Sequence, residues 1–494
     1  MEPGGTGTPT RHPSTLWPAD LSEARLLETT HDQVMIMAAN EDHDQLTTPI
    51  TRLRASGDVL VRRSDDGPTH LIILLHGVGG YSGHVRELAK VLGHQFGGDA
   101  IIFSPSCFTR LKTLDGVDVC AHRVMELLRP LVARHTSLRG LSLIGYSFGG
   151  LVARFLAGVL VLEPRPFLGL TPLNIVTLAC PHCGPVRTEG PAHTGVRERL
   201  LRLMMHVLGS RTGAQLGLLD RRMQLLALMA HPRGVFYRGL AAFSRRAAYA
   251  NITCDHSVPH WTASIAEWHA GSPLPPPPTA PQDSSTTPYP HVESVVSWAG
   301  RGGGGGTAAD AENVSIAPLM AASADRPSWS QALALIFLAP LFLCSFAPFI
   351  LCVALPLAST IALCKRLVNV LFPPPQLLAA LQLLAPSHSG AGDDEAQEWS
   401  DPAATAALEV EVAAEGSMQQ WMAARLNELS WQKVHVRFRL RSDGLRALHT
   451  HPHIIVRNKW QSPFGMDVLA HMAVTLRHVH EDSDDPRAEL RSAR

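Results

Sequence analysis

The sequence has no net charge and few cysteines. Lysine plus arginine equal aspartate plus glutamate at 43 each in 494 residues. The chain therefore has no overall field that would attract nucleic acid. Eight cysteines are too sparse for the disulfide framework of a small secreted domain, so we expect reduced thiols. A nucleic-acid function receives no support.

Several recognisable signals are also missing. The first residues, MEPGGTGTPTRHPSTLWPADL, lack the basic start and apolar core of a secretory signal peptide, which favours a cytosolic start. There is no HExxH zinc site, no Walker loop and no GxGxxG turn in a strand–helix–strand setting. We therefore expect a chemistry that needs no metal and no cofactor.

One motif resembles a redox site. Cys180-Pro181-His182-Cys183 spells a dithiol motif of thioredoxin-like oxidoreductases. In that fold the motif follows the first strand of a small domain, whereas here it follows a strand late in a larger series. A redox or zinc function is therefore disfavoured.

From about residue 70, short apolar runs alternate with helical patterns, which predicts an α/β fold with a mostly parallel central sheet flanked by helices. The predicted strands are 71–75, 100–103, 140–145, 173–178 and 246–252, and the predicted helices are 82–94, 118–134 and 151–162. Near the end, WQKVHVRFRL and HIIVRNKW are predicted strands, and GMDVLAHMAVTLRHV is a predicted closing helix.

Composition divides the chain into seven regions. They are an N-terminal extension (1–60), the first part of the α/β core (61–265), a disordered Pro/Gly-rich linker (266–330), an apolar segment (331–373), a loose acidic linker (374–424), the last strands and helix of the core (425–482) and a disordered tail (483–494). A stretch rich in Leu and Met at about 186–245 is either a helical cap with an apolar acyl pocket or helices packed on the sheet.

The apolar segment has the composition of a membrane-associated element. Residues 332–364 contain no charged side chain over 33 positions, which exceeds the roughly 20 residues needed to cross a bilayer. Prolines at 340, 348 and 356 can kink it. It is either a hairpin lodged in one leaflet or a helical hairpin buried in the protein.

The strongest chemical signal is Gly145-Tyr146-Ser147-Phe148-Gly149, placed between a predicted strand and a predicted helix. A nucleophilic serine is held out of a sheet on a sharp turn that leaves no room for side chains two positions before and after it. Gly145 and Gly149 meet this need, so Ser147 is the candidate nucleophile.

An oxyanion hole needs backbone N–H donors aimed at the developing charge. Phe148, directly after the nucleophile and at a helix start, supplies one donor. The loop His76-Gly77-Val78-Gly79-Gly80 follows the earlier strand, and Val78 or Gly79 is the candidate for the second donor.

The acid and the base should follow the serine in the order Ser, Asp, His. Asp255 lies just after the strand at 246–252, where an acid can orient an imidazole; Asp220 competes but has no strand before it. The base should lie after the last strand and near the last helix. This leaves His471 ahead of His478 and His480. His449 and His451 precede the predicted strand HIIVRNKW, and His453 stands at its start.

The sequence resembles the lipase-like serine esterase family of the α/β-hydrolase superfamily, which includes fungal and plant lipid-droplet and monoacylglycerol lipases. The resemblance rests on HLIILLHGVGG, LSLIGYSFGGLVARF, NIVTLACPHCGP, LGSRTGAQLGLLD, AAYANITCDHSVPHWTASI, LNELSWQKVHVRF, HIIVRNKW and GMDVLAHMA. It implies the α/β-hydrolase fold, with Ser147 as nucleophile, Asp255 as acid and His471 as base. Family members usually have Thr where Cys180 stands.

These observations together predict a hydrolase of lipid carboxylic esters, such as a monoacylglycerol or lysophospholipid, at a membrane or lipid-droplet surface. We expect the cytoplasmic face of an intracellular membrane, either endoplasmic reticulum or lipid droplet. The alternatives are a lipid acyltransferase that uses the same residues and a non-catalytic scaffold that binds lipid or protein. Because the apolar segment lies between the predicted acid and base, it must enter and leave the membrane on one face if the three residues meet.

Overall fold

The apolar runs form the centre of one eight-stranded sheet in the computed structural model of the protein. The structure describes residues 57–61, 67–187, 210–220, 224–267, 289–298, 360, 364, 412, 415–443, 449–457 and 463–484. The strands are β1 (Gly57–Val61), β2 (His70–Leu75), β3 (Ala100–Pro105), β4 (Gly140–Tyr146), β5 (Thr171–Leu178), β6 (Arg245–Asn251), β7 (Val292–Trp298) and β8 (Trp431–Val436).

The sheet order is β1-β3-β2-β4-β5-β6-β8-β7. The six inner strands run parallel, and the edge strands β1 and β7 run antiparallel to their neighbours. β4, which leads to the candidate serine, lies between β2 and β5 in the middle of the sheet. The carboxyl ends of the parallel strands β2, β5 and β6 therefore lie at the same edge of the sheet as the serine.

Ten α-helices occur among the described residues. They are α1 (Arg86–Phe96), α2 (Val117–Arg134), α3 (Phe148–Val161), α4 (Ser210–Leu216), α5 (Leu225–Leu228), α6 (Val235–Ala241), α7 (His260–Ala263), α8 (Met418–Leu426), α9 (Leu440–Asp443) and α10 (Met466–Asp484). Short 3₁₀ turns include Arg110–Asp115 and His453–Ile455.

Both faces of the sheet are covered. Side chains alternate along β2, so that Leu71, Ile73 and Leu75 pack with α2 and α3. Ile72 and Leu74 point the other way and pack with α1 and α10. Two buried faces explain why the strands are nearly continuous apolar runs rather than alternating ones.

The structure confirms the predicted α/β architecture and corrects three details. HIIVRNKW does not begin as a strand: His453, Ile454 and Ile455 form a buried 3₁₀ turn, and the buried Val456 ends it at φ 49°. β7 falls within 266–330, which was predicted to be a disordered linker, because it pairs with β8. α8 includes the end of the predicted loose linker, and its Trp421 is wholly buried in the core.

The predicted cap is only partly within the described residues. α6 packs directly on α3, where the ring of Phe236 lies against Gly158. This part therefore belongs to the helical layer on the sheet. Residues 188–209 and 221–223 lie outside the described residues, as does the predicted apolar hairpin at 331–373 apart from positions 360 and 364. Within the described part of the chain, no helix is both long and apolar enough to cross a membrane.

A partly buried histidine, His291, joins the start of the edge strand β7 to the helices α9 and α10. The backbone N–H of His291 donates to Asp467 Oδ2 over 2.7 Å, while ring atoms Nδ1 and Nε2 lie 2.9 Å from Asp467 Oδ1 and 3.3 Å from Asp443 Oδ1. Burial by itself lowers the pKa of His291, but the hydrogen bonds and charges of Asp467 and Asp443 outweigh it and raise the pKa above 6.5. His291 thus connects three segments, because Asp443 lies in α9 and Asp467 in α10.

This ion pair predicts a pH-dependent loss of stability in His291→Gln. A raised pKa in the folded state stabilises fully below the unfolded value, and this stabilisation is lost as the pH rises through the folded pKa. We expect the variant to lose about 1–3 kcal/mol of unfolding free energy at pH 6, because two carboxylates lose a donor. The loss should shrink towards pH 9.

Urea unfolding at pH 6, 7, 8 and 9 measures the difference between wild type and variant. His94→Gln, which changes an exposed residue of α1, is the control. A difference that stays constant or grows with pH contradicts the assignment.

Candidate active site

Ser147 stands on a strained turn between β4 and α3. Its backbone has φ 54° and ψ −124°, a conformation that side chains rarely adopt. A Cβ at Gly145 would collide with the backbone of Gly149 and Gly150, and one at Gly149 would collide with the carbonyls of Leu75 and His76. Both positions therefore require glycine, as the sequence predicted, and the turn presents the hydroxyl at the carboxyl edge of the sheet.

A histidine and an aspartate meet this serine. His451 Nε2 lies 3.1 Å from Ser147 Oγ, and His451 Nδ1 lies 2.8 Å from Asp255 Oδ2. With its proton on Nδ1, the imidazole donates to the carboxylate and accepts from the hydroxyl. The three side chains form a continuous hydrogen-bonded relay.

The structure corrects the predicted base. His471 lies on α10, where its Nδ1 is 3.0 Å from the hydroxyl of Tyr249 and its ring contacts Tyr289. Burial lowers the pKa of His471 to about 4, so it is a neutral core residue. No hydrogen bond among the described residues joins it to Ser147 or Asp255.

The error has a structural origin. Sequence reasoning placed a strand after residue 453 and looked for the base beyond it. Because the described part of that segment begins with a 3₁₀ turn, β8 is the last strand among the described residues, and His451 lies in the loop after it. The cluster His449-Thr450-His451-Pro452 directly before this turn was the available signal.

Asp255 is held rigidly after β6. Its carboxylate accepts from Asn251 Nδ2 over 2.9 Å and from the backbone N–H of Val258 over 2.8 Å. Burial by itself raises the pKa of Asp255, but the hydrogen bond and charge of His451 and these N–H donors outweigh it, so the pKa lies below its usual value. The carboxylate is therefore ionised and oriented at neutral pH.

Two of the three candidate oxyanion donors remain available. Gly77 faces the serine, since a Cβ there would lie 3.1 Å from Ser147 Cβ. The N–H of Gly79, however, donates to Thr113 Oγ1 over 2.9 Å. The prediction of Gly79 as an oxyanion donor is therefore wrong. Among the described residues no hydrogen bond uses the N–H of Val78 or Phe148.

The dithiol motif is part of a buried structural cluster. Cys180 and Cys183 are fully buried, and burial raises the pKa of Cys183 to about 12, so the thiols stay protonated. Arg154 of α3 donates to the carbonyl of His182 over 3.0 Å, and the ring of His182 lies 3.0 Å from Thr177 Oγ1. No group of three or more His, Cys, Asp or Glu residues suited to a metal occurs in the described part of the chain.

A mostly parallel sheet with a serine elbow and an acid and a base in the order Ser, Asp, His has the arrangement of the α/β-hydrolases. Residues 65–266 match the family model described as "Putative serine esterase (DUF676)". Over this stretch, which is less than half of its length, the chain is similar to that family.

Curated relatives are fungal proteins. A protein named "Putative lipase ROG1" from Saccharomyces cerevisiae is 30% identical over 208 residues, which are 40% of this chain and 28% of the relative. "Putative lipase C4A8.10" from Schizosaccharomyces pombe is 25% identical over 211 residues, which are 40% of this chain and 26% of the relative. The chain thus spans about a quarter of the length of the curated relatives it matches.

The similarity to solved structures is weaker. Aspergillus fumigatus lipase B has 13% identity and a TM-score of 0.29, over 48% of this chain and 53% of that chain. Phospholipase PlaB from Legionella pneumophila has 16% identity and a TM-score of 0.27, over 38% and 40%. At these scores the similarity says nothing about activity.

The relay predicts a spectroscopic signature that does not depend on activity. A proton on His451 Nδ1 that is bound to a buried carboxylate resonates far downfield in the proton NMR spectrum. We expect this signal to disappear in Asp255→Ala and in His451→Gln and to remain in His471→Gln. His291 also contacts carboxylates, so its ring proton can give a second downfield signal, and loss of that signal in His291→Gln identifies it. A signal that survives His451→Gln, after correction for His291, contradicts the geometry.

Proposed function

We propose that the protein is a serine hydrolase that cleaves carboxylic esters of lipids through an acyl-enzyme. The observation that carries this proposal is the relay in which His451 lies within hydrogen-bonding distance of both Ser147 and Asp255. The match of residues 65–266 to the family model described as "Putative serine esterase (DUF676)" supports it.

The geometry suits acyl transfer to serine. Ser147 Oγ attacks the ester carbonyl while His451 Nε2 takes its proton, and the ionised Asp255 stabilises the resulting imidazolium. The N–H groups of Val78 and Phe148 stabilise the oxyanion of the tetrahedral intermediate. The imidazolium then gives its proton to the departing alcohol, which leaves an acyl-enzyme.

Hydrolysis completes the cycle. His451 takes a proton from a water molecule that attacks the acyl-enzyme, and the second tetrahedral intermediate collapses with return of the proton to Ser147. The products are one fatty acid and one alcohol for each water consumed. The curated relatives, whose names read "Putative lipase", support a lipid ester as substrate.

The proposal predicts unequal effects of substitution at two buried histidines. Ser147→Ala and His451→Gln should each lower kcat for a soluble ester such as p-nitrophenyl butyrate by about 10⁴-fold or more. Asp255→Asn should cost about 10⁴-fold, because the imidazole loses its preferred tautomer. His471→Gln, the matched control in the core, should retain most activity per folded molecule.

Labelling by a fluorophosphonate probe reports on the same residues. The wild type and His471→Gln should be labelled, and Ser147→Ala should not. An unlabelled wild type removes the proposal in favour of a binding scaffold. Full activity in His451→Gln removes the assigned base.

We also propose that the apolar segment 331–373 holds the enzyme at one face of a membrane or lipid droplet. This segment lies outside the described residues, and its charge-free run supports the idea. The elements on either side support entry and exit on the same face, since β7 pairs with β8 and Asp255 contacts His451.

Protease protection tests the arrangement. Epitope tags inserted at positions 280 and 400 should both be cleaved by protease added to intact microsomes, and both should be protected only if the whole protein is luminal. Tags on opposite sides of the membrane contradict the hairpin. Deletion of 331–373 should release the protein from the membrane fraction.

A further inference from the structure

Arg457 stands at the end of the turn that carries the proposed base. Its backbone N–H donates to the carbonyl of Pro452 over 3.0 Å, which closes the loop directly after His451. Val456 before it adopts the left-handed conformation at φ 49°, and the residue itself is exposed. The side chain therefore starts from a fixed point beside the active site.

The guanidinium of Arg457 reaches towards the loop at 76–80, called here the oxyanion loop because it carries the candidate donor Val78. Arg457 Nη2 lies 3.0 Å from His84 Nε2, and a Cβ built on Gly80 would lie 3.1 Å from Nδ1 of the same His84. Burial, with the charge of Arg457, lowers the pKa of His84 to about 4, so its ring is neutral and accepts this hydrogen bond. His84 thus holds the cation in place without neutralising it.

No carboxylate compensates this charge among the described residues. The ion pairs that involve acidic side chains there use other basic residues. Burial chiefly lowers the pKa values of His76 and His449, and the charge of Arg457 adds to the lowering at both. The charge of Asp255 acts on His449 together with that of Arg457, and the carboxylate of Asp255 is already bound to His451.

Two exposed apolar side chains lie on or next to the oxyanion loop. Val78 is 44% exposed and Leu111 is 58% exposed, although large apolar residues are usually buried. The neighbouring Arg110 donates its backbone N–H to the carbonyl of Gly80 over 2.7 Å, so Leu111 lies next to the oxyanion loop. A fixed cation beside exposed apolar groups matches an amphiphile with an anionic head.

We propose that Arg457 binds the phosphate headgroup of a lipid whose acyl ester is attacked by Ser147, so that the preferred substrates are anionic lysophospholipids rather than neutral monoacylglycerols. The planar guanidinium presents paired donors that match phosphate oxygens. This inference rests on the proposed ester hydrolase activity and specifies its substrate class.

Two esters that differ only in the phosphate test the proposal. The substrates are 1-octanoyl lysophosphatidic acid and 1-octanoylglycerol, used at concentrations below micelle formation so that no charged surface is present. We expect Arg457→Gln to lower the ratio of kcat/KM for the phosphate ester over the neutral ester by about 10- to 100-fold, since one charge-assisted contact is lost. The loss should lie chiefly in KM.

Two further variants sharpen the result. Arg457→Lys keeps the positive charge but loses the paired donors of the guanidinium, so it should retain part of the preference in kcat/KM for the phosphate ester. Arg139→Gln changes an exposed arginine before β4, at the opposite end of that strand from Ser147, and should leave the ratio as in the wild type. In the wild type, added salt should raise KM for the phosphate ester, and Arg457→Gln should weaken this dependence.

Equal losses on both esters overturn the proposal and make Arg457 a residue that only positions the base turn. An unaltered ratio in Arg457→Gln overturns it as well. A different result, in which the wild type cleaves neither lipid nor p-nitrophenyl butyrate, is a failure of the proposed hydrolase activity instead.

Discussion

The pairing of β6 with β8 is the constraint on which the rest of the site depends. These strands are distant along the chain, yet they lie side by side and parallel, with Asn251 opposite Val436. Parallel neighbours end at the same edge of a sheet, so the loop after β6 delivers Asp255 and the loop after β8 delivers His451 to one place. The distance between acid and base is set by strand register rather than by contacts made along the sequence.

The hydrogen-bond partners of a buried histidine determine whether it can take part in proton transfer. With 25 histidines in the chain, residue type alone selects none of them. Burial lowers the pKa values of His76, His260 and His471 to about 4, so these rings are neutral packing groups. His451 differs in its partners, because one ring nitrogen contacts an ionised carboxylate and the other contacts a hydroxyl.

Much of the fold could be predicted from the sequence, because its strands are buried on both faces and are written as continuous apolar runs. The serine elbow was predictable for a steric reason, since Gly145 and Gly149 are required by the turn itself. The position of the base was not predictable in the same way. An apolar run such as Ile454–Val456 is compatible with a strand or with a buried 3₁₀ turn, and only tertiary packing decides between them. The strand that was wrongly predicted after Pro452 is the reason why the base was predicted at His471 and not at His451.

The place of the long insertion has a consequence for how this architecture can vary. The chain leaves the sheet after Trp298 and returns to it at Trp431, and these two positions face each other in adjacent antiparallel strands. The excursion is therefore topologically a β-hairpin loop, with α8 packed into the core near its end. The entropic cost of closing a loop grows only with the logarithm of its length. Segments of very different size can thus replace one another between 299 and 414 while the pairing of β7 with β8, and with it the relative positions of Asp255 and His451, stays the same.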